Sequence, residues 1–156
     1  YDPVSGIWNA VNSSLLDGHG PGTTATLLSS GEVLLAGGQN RAGCHLYDPL
    51  TGAWRLTGPL PLSRDWFTGT LLPSGKVLVA GGKAQTATSL LSEGPTVNTC
   101  LLYDPSDGNW SPAPNLEHQR HLHTATLLKN GNVLFVGGRD EKDSPTKNVE
   151  VYDPVR

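Results

Sequence analysis

Hydrophobic and polar residues follow one pattern three times along the chain. Each copy opens with a run rich in Thr and Leu, "TATLL", "TGTLL" or "TATLL". A short turn ending in Gly follows, and then a nearly continuous apolar run, "EVLLAGG", "KVLVAGG" or "NVLFVGG". Short apolar runs bounded by turn residues are typical of strands buried on both faces, and Gly in the turn supplies the positive φ of a tight hairpin. The pattern therefore predicts a repeated β-hairpin.

Two further runs complete each copy. After a loop of varying length come "CHLY", "CLLY" and "VEVY", which predict a third strand. The phrases "YDPVSGIW", "YDPLTGAW" and "YDPSDGNW" then predict a tight turn and a fourth strand that carries Trp. Four antiparallel strands per repeat predict the blade of a β-propeller.

The spacing of the motifs supports stacked units. The double glycines are separated by 44 and 56 residues, which is the range of blade-sized repeats. The residues predicted to carry the structural motif are Gly37, Gly38, Gly81, Gly82, Gly137, Gly138, Tyr47, Tyr103, Tyr152, Trp8, Trp54 and Trp110. Residues 1–11 are predicted to be the last strand of a blade, 12–54 and 55–110 complete blades, and 111–156 a blade without its last strand.

These motifs resemble the kelch repeat over essentially the whole chain. The resemblance rests on the double glycine that closes the second strand and on the Tyr and Trp that follow, seven residues apart. An Arg-x-x-His element appears as Arg120 and His123, while the second copy has Arg64 with Phe67. The sequence of these motifs is most similar to that of kelch repeats in secreted bacterial proteins and galactose-oxidase-like propellers. This resemblance implies an all-β propeller and favours an extracellular location. The fold hosts unrelated activities, so it does not fix the function.

Three blades fall short of the four to eight that a propeller typically has, and they would leave strand edges exposed. Two copies are expected to close a six-bladed ring as a homodimer, each lending its N-terminal strand to the last blade of the other. The alternative is a stretch of a longer chain.

The order of strands places the loops of variable length on one face of the propeller. These are the second-to-third and fourth-to-first connections, and loops carry most binding functions. Trp66 either contacts a ligand or packs between blades, and Arg64 and Arg120 either contact a ligand or form buried structural pairs. The residues predicted to bind on this face are Arg41, Arg64, Trp66, Glu93, Arg120, His121 and Arg139.

Charge and cysteine content narrow the function classes. A net charge of −3 without a basic run argues against nucleic acid, and no apolar stretch is long enough to span a membrane. Cys44 and Cys100 occupy equivalent positions before "YDP", where neighbouring repeats are too far apart for a disulfide. Both are predicted to be buried thiols.

The residues offer little support for catalysis. His118, His121 and His123 have the composition of a metal site, but a kelch histidine with two polar loop residues explains them as well, and no metal is predicted. The Asp residues of the "YDP" turns are predicted to cap those turns. All four Tyr lie in the "YDP" phrases, so copper-radical chemistry has no visible basis, and no cofactor is predicted.

The sequence thus predicts a non-catalytic binding or assembly module that holds a protein or a glycan on its loop face. One alternative is a propeller fragment of a larger secreted enzyme. Another is a structural protein that polymerises through open blade edges.

Overall fold

A computed structural model describes residues 2–8, 19–38, 41–84 and 94–155. Within these ranges the regular structure consists of strands, with no helix, and hence no helix that could cross a membrane. The strands are β1 (Thr24–Leu27), β2 (Val33–Ala36), β3 (Cys44–Asp48), β4 (Ala53–Thr57), β5 (Arg64–Asp65), β6 (Thr68–Leu71), β7 (Val77–Ala80), β8 (Lys83–Ala84), β9 (Cys100–Asp104), β10 (Asn109–Ala113), β11 (Thr124–Leu127), β12 (Val133–Val136) and β13 (Val149–Tyr152).

The strands form antiparallel sheets that follow the repeats. The orders are β1-β2-β3-β4, β6-β7-β9-β10 and β11-β12-β13, and β5 pairs with β8 as a small separate ribbon. These sheets, called blades 1, 2 and 3 below, are consistent with the blades of a partial propeller. The all-β prediction and the antiparallel hairpins of each repeat are confirmed.

The hydrophobic core lies between the blades. Between blades 1 and 2, Leu34, Ala36, Cys44 and Leu46 pack against residues that include Val77. Between blades 2 and 3, the equivalent side of blade 2 packs against Val133 and Phe135 of blade 3. The first strands β1, β6 and β11 lie side by side, with β6 in contact with both others. Each blade is therefore stabilised by its neighbours.

Both cysteines are buried free thiols, as predicted. Burial raises the pKa of Cys44 to about 11, and it also raises the pKa of Cys100. Each thiol lies against a neighbouring blade and behaves as a small apolar residue.

The "YDP" turns have the predicted capping geometry. In the turn of blade 1, Asp48 Oδ1 accepts the Leu50 amide at 2.8 Å, and Asp48 Oδ2 accepts the Thr51 hydroxyl at 2.8 Å. The side chain of Asp104 accepts the Ser106 amide at 3.0 Å. Capping by the Asp side chains is therefore confirmed.

The third and fourth strands of blade 2 contact blade 1 through Tyr103 and Trp110. The Tyr103 hydroxyl lies 2.6 Å from the Thr57 hydroxyl of blade 1. Trp110 stacks against Tyr103 with ring centroids 5.0 Å apart, and its Nε1 donates to the Gly58 carbonyl oxygen at 2.8 Å. Tyr103 and Trp110 therefore connect blade 2 to blade 1.

Candidate functional site

The loops that lead from the fourth strand of one blade to the first strand of the next lie on the loop face. Backbone hydrogen bonds join these loops in a row, which is called the backbone relay below. The equivalent residues Gly22, Trp66 and Leu122 have positive φ angles of 82°, 56° and 54°. The Trp66 amide donates to the Gly22 carbonyl oxygen at 3.1 Å, and the Leu122 amide donates to the Trp66 carbonyl oxygen at 3.0 Å. A hydrogen bond therefore links each blade to the next at this position.

Trp66 and Leu122 present apolar side chains at this relay. Trp66 is half-buried, and its indole lies over Gly22, where an added Cβ would come within 3.1 Å of Trp66 Cδ2. Leu122 is 51% exposed. The two side chains therefore supply apolar surface on the face where the loops vary.

Arg64 and Arg120 are buried at the start of blades 2 and 3. The Arg64 guanidinium donates to the Gly81 and Thr99 carbonyl oxygens at 3.1 and 2.7 Å. The Arg120 guanidinium donates to the Gly137 and Asn148 carbonyl oxygens at 3.2 and 3.0 Å. This geometry favours the structural alternative for both arginines, because their donors are directed to the ends of buried strands.

The backbone of the same arginines accounts for the double glycines. The Gly38 amide donates to the Arg64 carbonyl oxygen at 2.9 Å, and the Gly82 amide donates to the Arg120 carbonyl oxygen at 2.8 Å. At Gly81, which has φ 62°, an added Cβ would lie 2.9 Å from His123 Cε1 of the next blade. Only Gly combines this conformation with so close an approach.

Blade 1 uses a different side chain for the same task. Gly20 occupies the position of Arg64 and Arg120, and His19 Nδ1 lies 2.7 Å from the Gly37 carbonyl oxygen. His19 Nε2 lies 2.9 Å from His45 Nδ1. The pair of imidazoles therefore replaces the guanidinium at the end of β2.

A second polar cluster fixes the loop of blade 3. His121 and Arg139 exchange backbone hydrogen bonds of 3.0 and 2.8 Å. His121 is buried, with Nδ1 3.1 Å from the Thr96 hydroxyl and Nε2 2.9 Å from Asp143 Oδ1. The Arg139 guanidinium donates to the Asp143 carbonyl oxygen at 2.6 Å. The loop therefore presents Arg139 and Asp143 in a defined arrangement.

One curated protein supplies the comparison with known proteins. Kelch-like protein 35 of Mus musculus is 24% identical to this chain over 159 aligned positions, which cover 99% of the chain and 25% of that protein. The chain resembles kelch-repeat proteins. This match confirms the resemblance inferred from the repeated motifs. The chain spans about a quarter of the length of this relative. No family model matches the chain.

Among the residues that the structure describes, one group has the composition of a metal site. Glu117, His118 and Glu150 place ligand atoms within 4.8 Å of one another. The Glu150 carboxylate already accepts the Glu117 and His118 amides, at 2.6 and 3.2 Å, and the Arg120 guanidinium. These donors occupy the oxygens that a cation would need.

The three histidines of "HQRHLH" have separate environments. His118 is exposed beside Glu150, His121 belongs to the loop of blade 3, and His123 is buried with Nε2 3.0 Å from the Thr68 hydroxyl. Within the described ranges, they are not brought together as a ligand group.

The remaining predicted binding residues lie elsewhere. Arg41 is exposed on the second-to-third loop of blade 1, where its amide donates to the Gly38 carbonyl oxygen at 3.1 Å. Glu93 lies outside the described residues.

The structural motif residues Tyr47 and Trp54 stack with ring centroids 4.8 Å apart.

Sequence reasoning missed several residues of these clusters, among them Leu122, Asp143 and Glu150. A signal for Glu150 was present, because it is the one carboxylate in the third-strand phrases "CHLY", "CLLY" and "VEVY". A charge in such a run indicates a buried partner, here Arg120. Asp143, with φ 59°, gave no comparable signal within "RDEKDSPTKN".

Proposed function

We propose that this chain is a non-catalytic protein-binding module and that its partner contacts the loop face around Trp66 and Leu122. The similarity to a kelch-like protein supports a binding module of this general kind. The observation that carries the proposal is the left-handed backbone of these two large residues on the loop face.

The conformation is unfavourable for large side chains. A non-glycine residue in the left-handed region costs about 1–2 kcal/mol, and such strain concentrates at functional sites. Gly22 shows that glycine satisfies the same backbone position in blade 1. The presence of Trp and Leu at this position in blades 2 and 3 supports a role for their side chains.

The surroundings suit a protein partner. Trp is enriched among the residues that dominate binding energy, and ordered polar groups at the rim lower the entropic cost of association. Arg139 and Asp143 are exposed and already held by hydrogen bonds within their loop. The partner is expected to insert an apolar side chain between Trp66 and Leu122 and to place polar groups at this rim.

A peptide library displayed on phage supplies probes for this face. Peptides selected on the immobilised protein should lose at least tenfold in affinity for Trp66→Gly and Leu122→Gly, variants that keep the backbone conformation. Leu50→Ala, on the opposite face at an exposed turn, is the matched control and should bind as the wild type does. Selected peptides that bind all three variants equally would contradict the proposal, and selection of glycans alone from an array would assign the face to carbohydrate.

We also propose that two copies close a six-bladed ring. Val136, Val149 and Val151 of blade 3 are 40%, 59% and 54% exposed. Their counterparts in blade 1, Ala36, Cys44 and Leu46, are buried against blade 2.

Blade 1 offers a matching surface on its other side. Val33, Leu35 and Tyr47 are only half-buried there. Their counterparts Val77, Val79 and Tyr103 in blade 2 are buried against blade 1. Contact between the two open surfaces of two chains would reproduce the interface between blades 1 and 2.

Light scattering across a dilution series measures this closure. A constant mass of twice the 16.5 kDa of one chain supports the ring. A monomer contradicts it. A series of growing masses also contradicts closure and favours polymerisation through open edges.

A further inference from the structure

One buried imidazole joins two of the variable loops. His121 is 1% exposed and lies in the connection from blade 2 to blade 3. Its Nδ1 lies 3.1 Å from the hydroxyl of Thr96, in the second-to-third loop of blade 2. Its Nε2 lies 2.9 Å from Oδ1 of Asp143, in the second-to-third loop of blade 3. A single side chain therefore connects the long loop of blade 2 to the loop that presents Asp143.

The carboxylate fixes the direction of these hydrogen bonds. A carboxylate oxygen only accepts, so Nε2 of His121 carries the hydrogen that is donated to Asp143. In the neutral imidazole Nδ1 is then the acceptor, and the Thr96 hydroxyl donates to it. The imidazole is therefore held at both nitrogens, and the bonds run in one direction from Thr96 to Asp143.

The fold accepts a different side chain at this position. Asp65 is the counterpart of His121 in blade 2, because both follow the buried arginine by one residue. Each pairs with the residue after a double glycine, Asp65 with Lys83 and His121 with Arg139. The backbone pairing is thus common to both blades, whereas the imidazole and its contacts belong to blade 3.

Asp143 is held in place and still open to a partner. Its side chain is 62% exposed. The Arg139 guanidinium donates to the Asp143 backbone carbonyl oxygen at 2.6 Å and lies 3.5 Å from Oδ2. A carboxylate offers about four acceptor sites, so acceptor sites remain on the exposed side after these contacts. A carboxylate that the protein has already oriented loses less entropy when a donor binds to it.

We infer that His121 is a positioning residue of the loop face: it orients the Asp143 carboxylate, to which the partner supplies a hydrogen-bond donor. Leu122 follows His121 directly, so this donor lies next to the apolar side chain that the partner inserts. The inference rests on the protein-binding function proposed above and names the polar group of the partner. An ammonium, a guanidinium or an amide meets the requirement, and a carboxylate of the partner does not.

Two substitutions at His121 separate positioning from packing. The amide nitrogen of Gln reaches about as far as Nε2 of His, and that of Asn about as far as Nδ1. His121→Gln therefore keeps the donor to Asp143 and should leave the affinity for the peptides selected on the loop face unchanged. His121→Asn loses this donor and should weaken binding about tenfold. Each variant loses one of the two side-chain bonds, so urea unfolding should show similar losses of stability, and a purely structural role predicts that affinity follows stability.

Asp143→Asn tests the acceptor itself. It keeps one oxygen for the His121 donor and replaces the other with an amide that donates, so peptide affinity should fall about tenfold. Lys142→Ala is the matched control, since Lys142 is exposed in the same loop, and this variant should bind as the wild type does.

A double-mutant cycle tests direct contact with the partner. Alanine substitution along a selected peptide identifies its donor. Loss of that donor should reduce affinity for the wild type and leave affinity for Asp143→Ala unchanged, because the two groups act as a pair. Additive losses would overturn the contact.

The outcomes distinguish this inference from the proposed function. If the peptides require Leu122 but bind the wild type, Asp143→Asn and His121→Asn equally, the inference is overturned and the proposed function stands. Peptides that bind without regard to Leu122, or a library that yields no peptide, overturn both. Equal losses of affinity in His121→Gln and His121→Asn overturn the positioning role of His121.

Discussion

Blades 2 and 3 place an arginine at the same point and surround it differently. Arg64 and Arg120 each donate to the first carbonyl oxygen of the double glycine and to one carbonyl oxygen before the third strand. Nη2 of Arg64 donates to the Thr99 hydroxyl at 2.6 Å, whereas Nη2 of Arg120 donates to the Glu150 carboxylate.

The difference separates what the fold requires from what it tolerates. Both blades keep the bonds from the guanidinium to the two backbone carbonyl groups. Burial lowers the pKa of Arg64 from its ordinary value. Burial alone would raise the pKa of Glu150, but the Glu117 amide, Arg120 and the His118 amide together hold it below its ordinary value. A carboxylate partner is therefore an addition in blade 3 and not a condition for the buried arginine.

Loss of either arginine should have the largest effect on stability. Arg120→Met removes the partner of a carboxylate and should reduce the free energy of unfolding by about 3–5 kcal/mol. Arg64→Met removes hydrogen bonds to neutral acceptors, among them the buried Gly81 carbonyl oxygen, and should reduce it by about 2–3 kcal/mol. Urea unfolding monitored by tryptophan fluorescence gives both values.

The control for this difference is Glu150→Leu, which gives blade 3 the apolar residue that blade 2 has at Leu101. Arg120→Met combined with Glu150→Leu should be more stable than Arg120→Met alone. If the second substitution brings no recovery, the Glu150 carboxylate does not account for the difference between the two arginines.

Blades 2 and 3 also differ at the position three residues after the arginine, and this difference affects how stability depends on pH. It is Phe67 in blade 2 and His123 in blade 3. Burial first, and then the nearby Arg120 and His121, lower the pKa of His123 to about 4 from 6.5. Between these two values the unfolded chain binds a proton that the folded chain does not, so stability falls as pH falls through this range. The loss should be about 2 kcal/mol between pH 7 and pH 5.

A reciprocal exchange isolates the contribution of His123. His123→Phe should abolish this pH dependence at the expense of the hydrogen bond to Thr68, and Phe67→His should introduce a similar dependence in blade 2. Urea midpoints measured from pH 7 to pH 5 provide the comparison. An unchanged slope in His123→Phe would assign the pH dependence to other groups.

The fold could be predicted from the sequence because its determinants are local and repeated. The apolar runs before each double glycine became β2, β7 and β12, and the Gly of each hairpin turn has positive φ, as at Gly31 and Gly75. Tight turns, buried strands and capping Asp residues depend on neighbouring residues. The same local pattern therefore recurs in each copy of the repeat, and the copies support the same prediction.

The candidate site was harder to predict because its contacts cross between repeats. The sequence left Arg64 and Arg120 between ligand binding and structural pairing, since only the fold shows that their donors end on Gly81 and Gly137. The relay from Gly22 to Leu122 likewise depends on backbone conformation at positions whose residues share no type. Contacts of this kind are not signalled by any fixed spacing of residues in the sequence.

The smallest predicted effect concerns this relay and again separates the two blades. Leu122→Gly should increase the free energy of unfolding by about 1 kcal/mol, because glycine relieves the left-handed strain and the lost leucine is half-exposed. Trp66→Gly should give a smaller gain or none, since the indole packs over Gly22. Urea unfolding of both variants measures the difference, and Gly22→Ala, whose added Cβ would lie 2.7 Å from the Trp66 amide nitrogen, should be destabilising. If Leu122→Gly also destabilises the chain, packing holds the leucine side chain, and the left-handed backbone of blade 3 is not evidence for a binding role. If it stabilises the chain while peptide binding is lost, blade 3 retains a leucine that its own stability does not require.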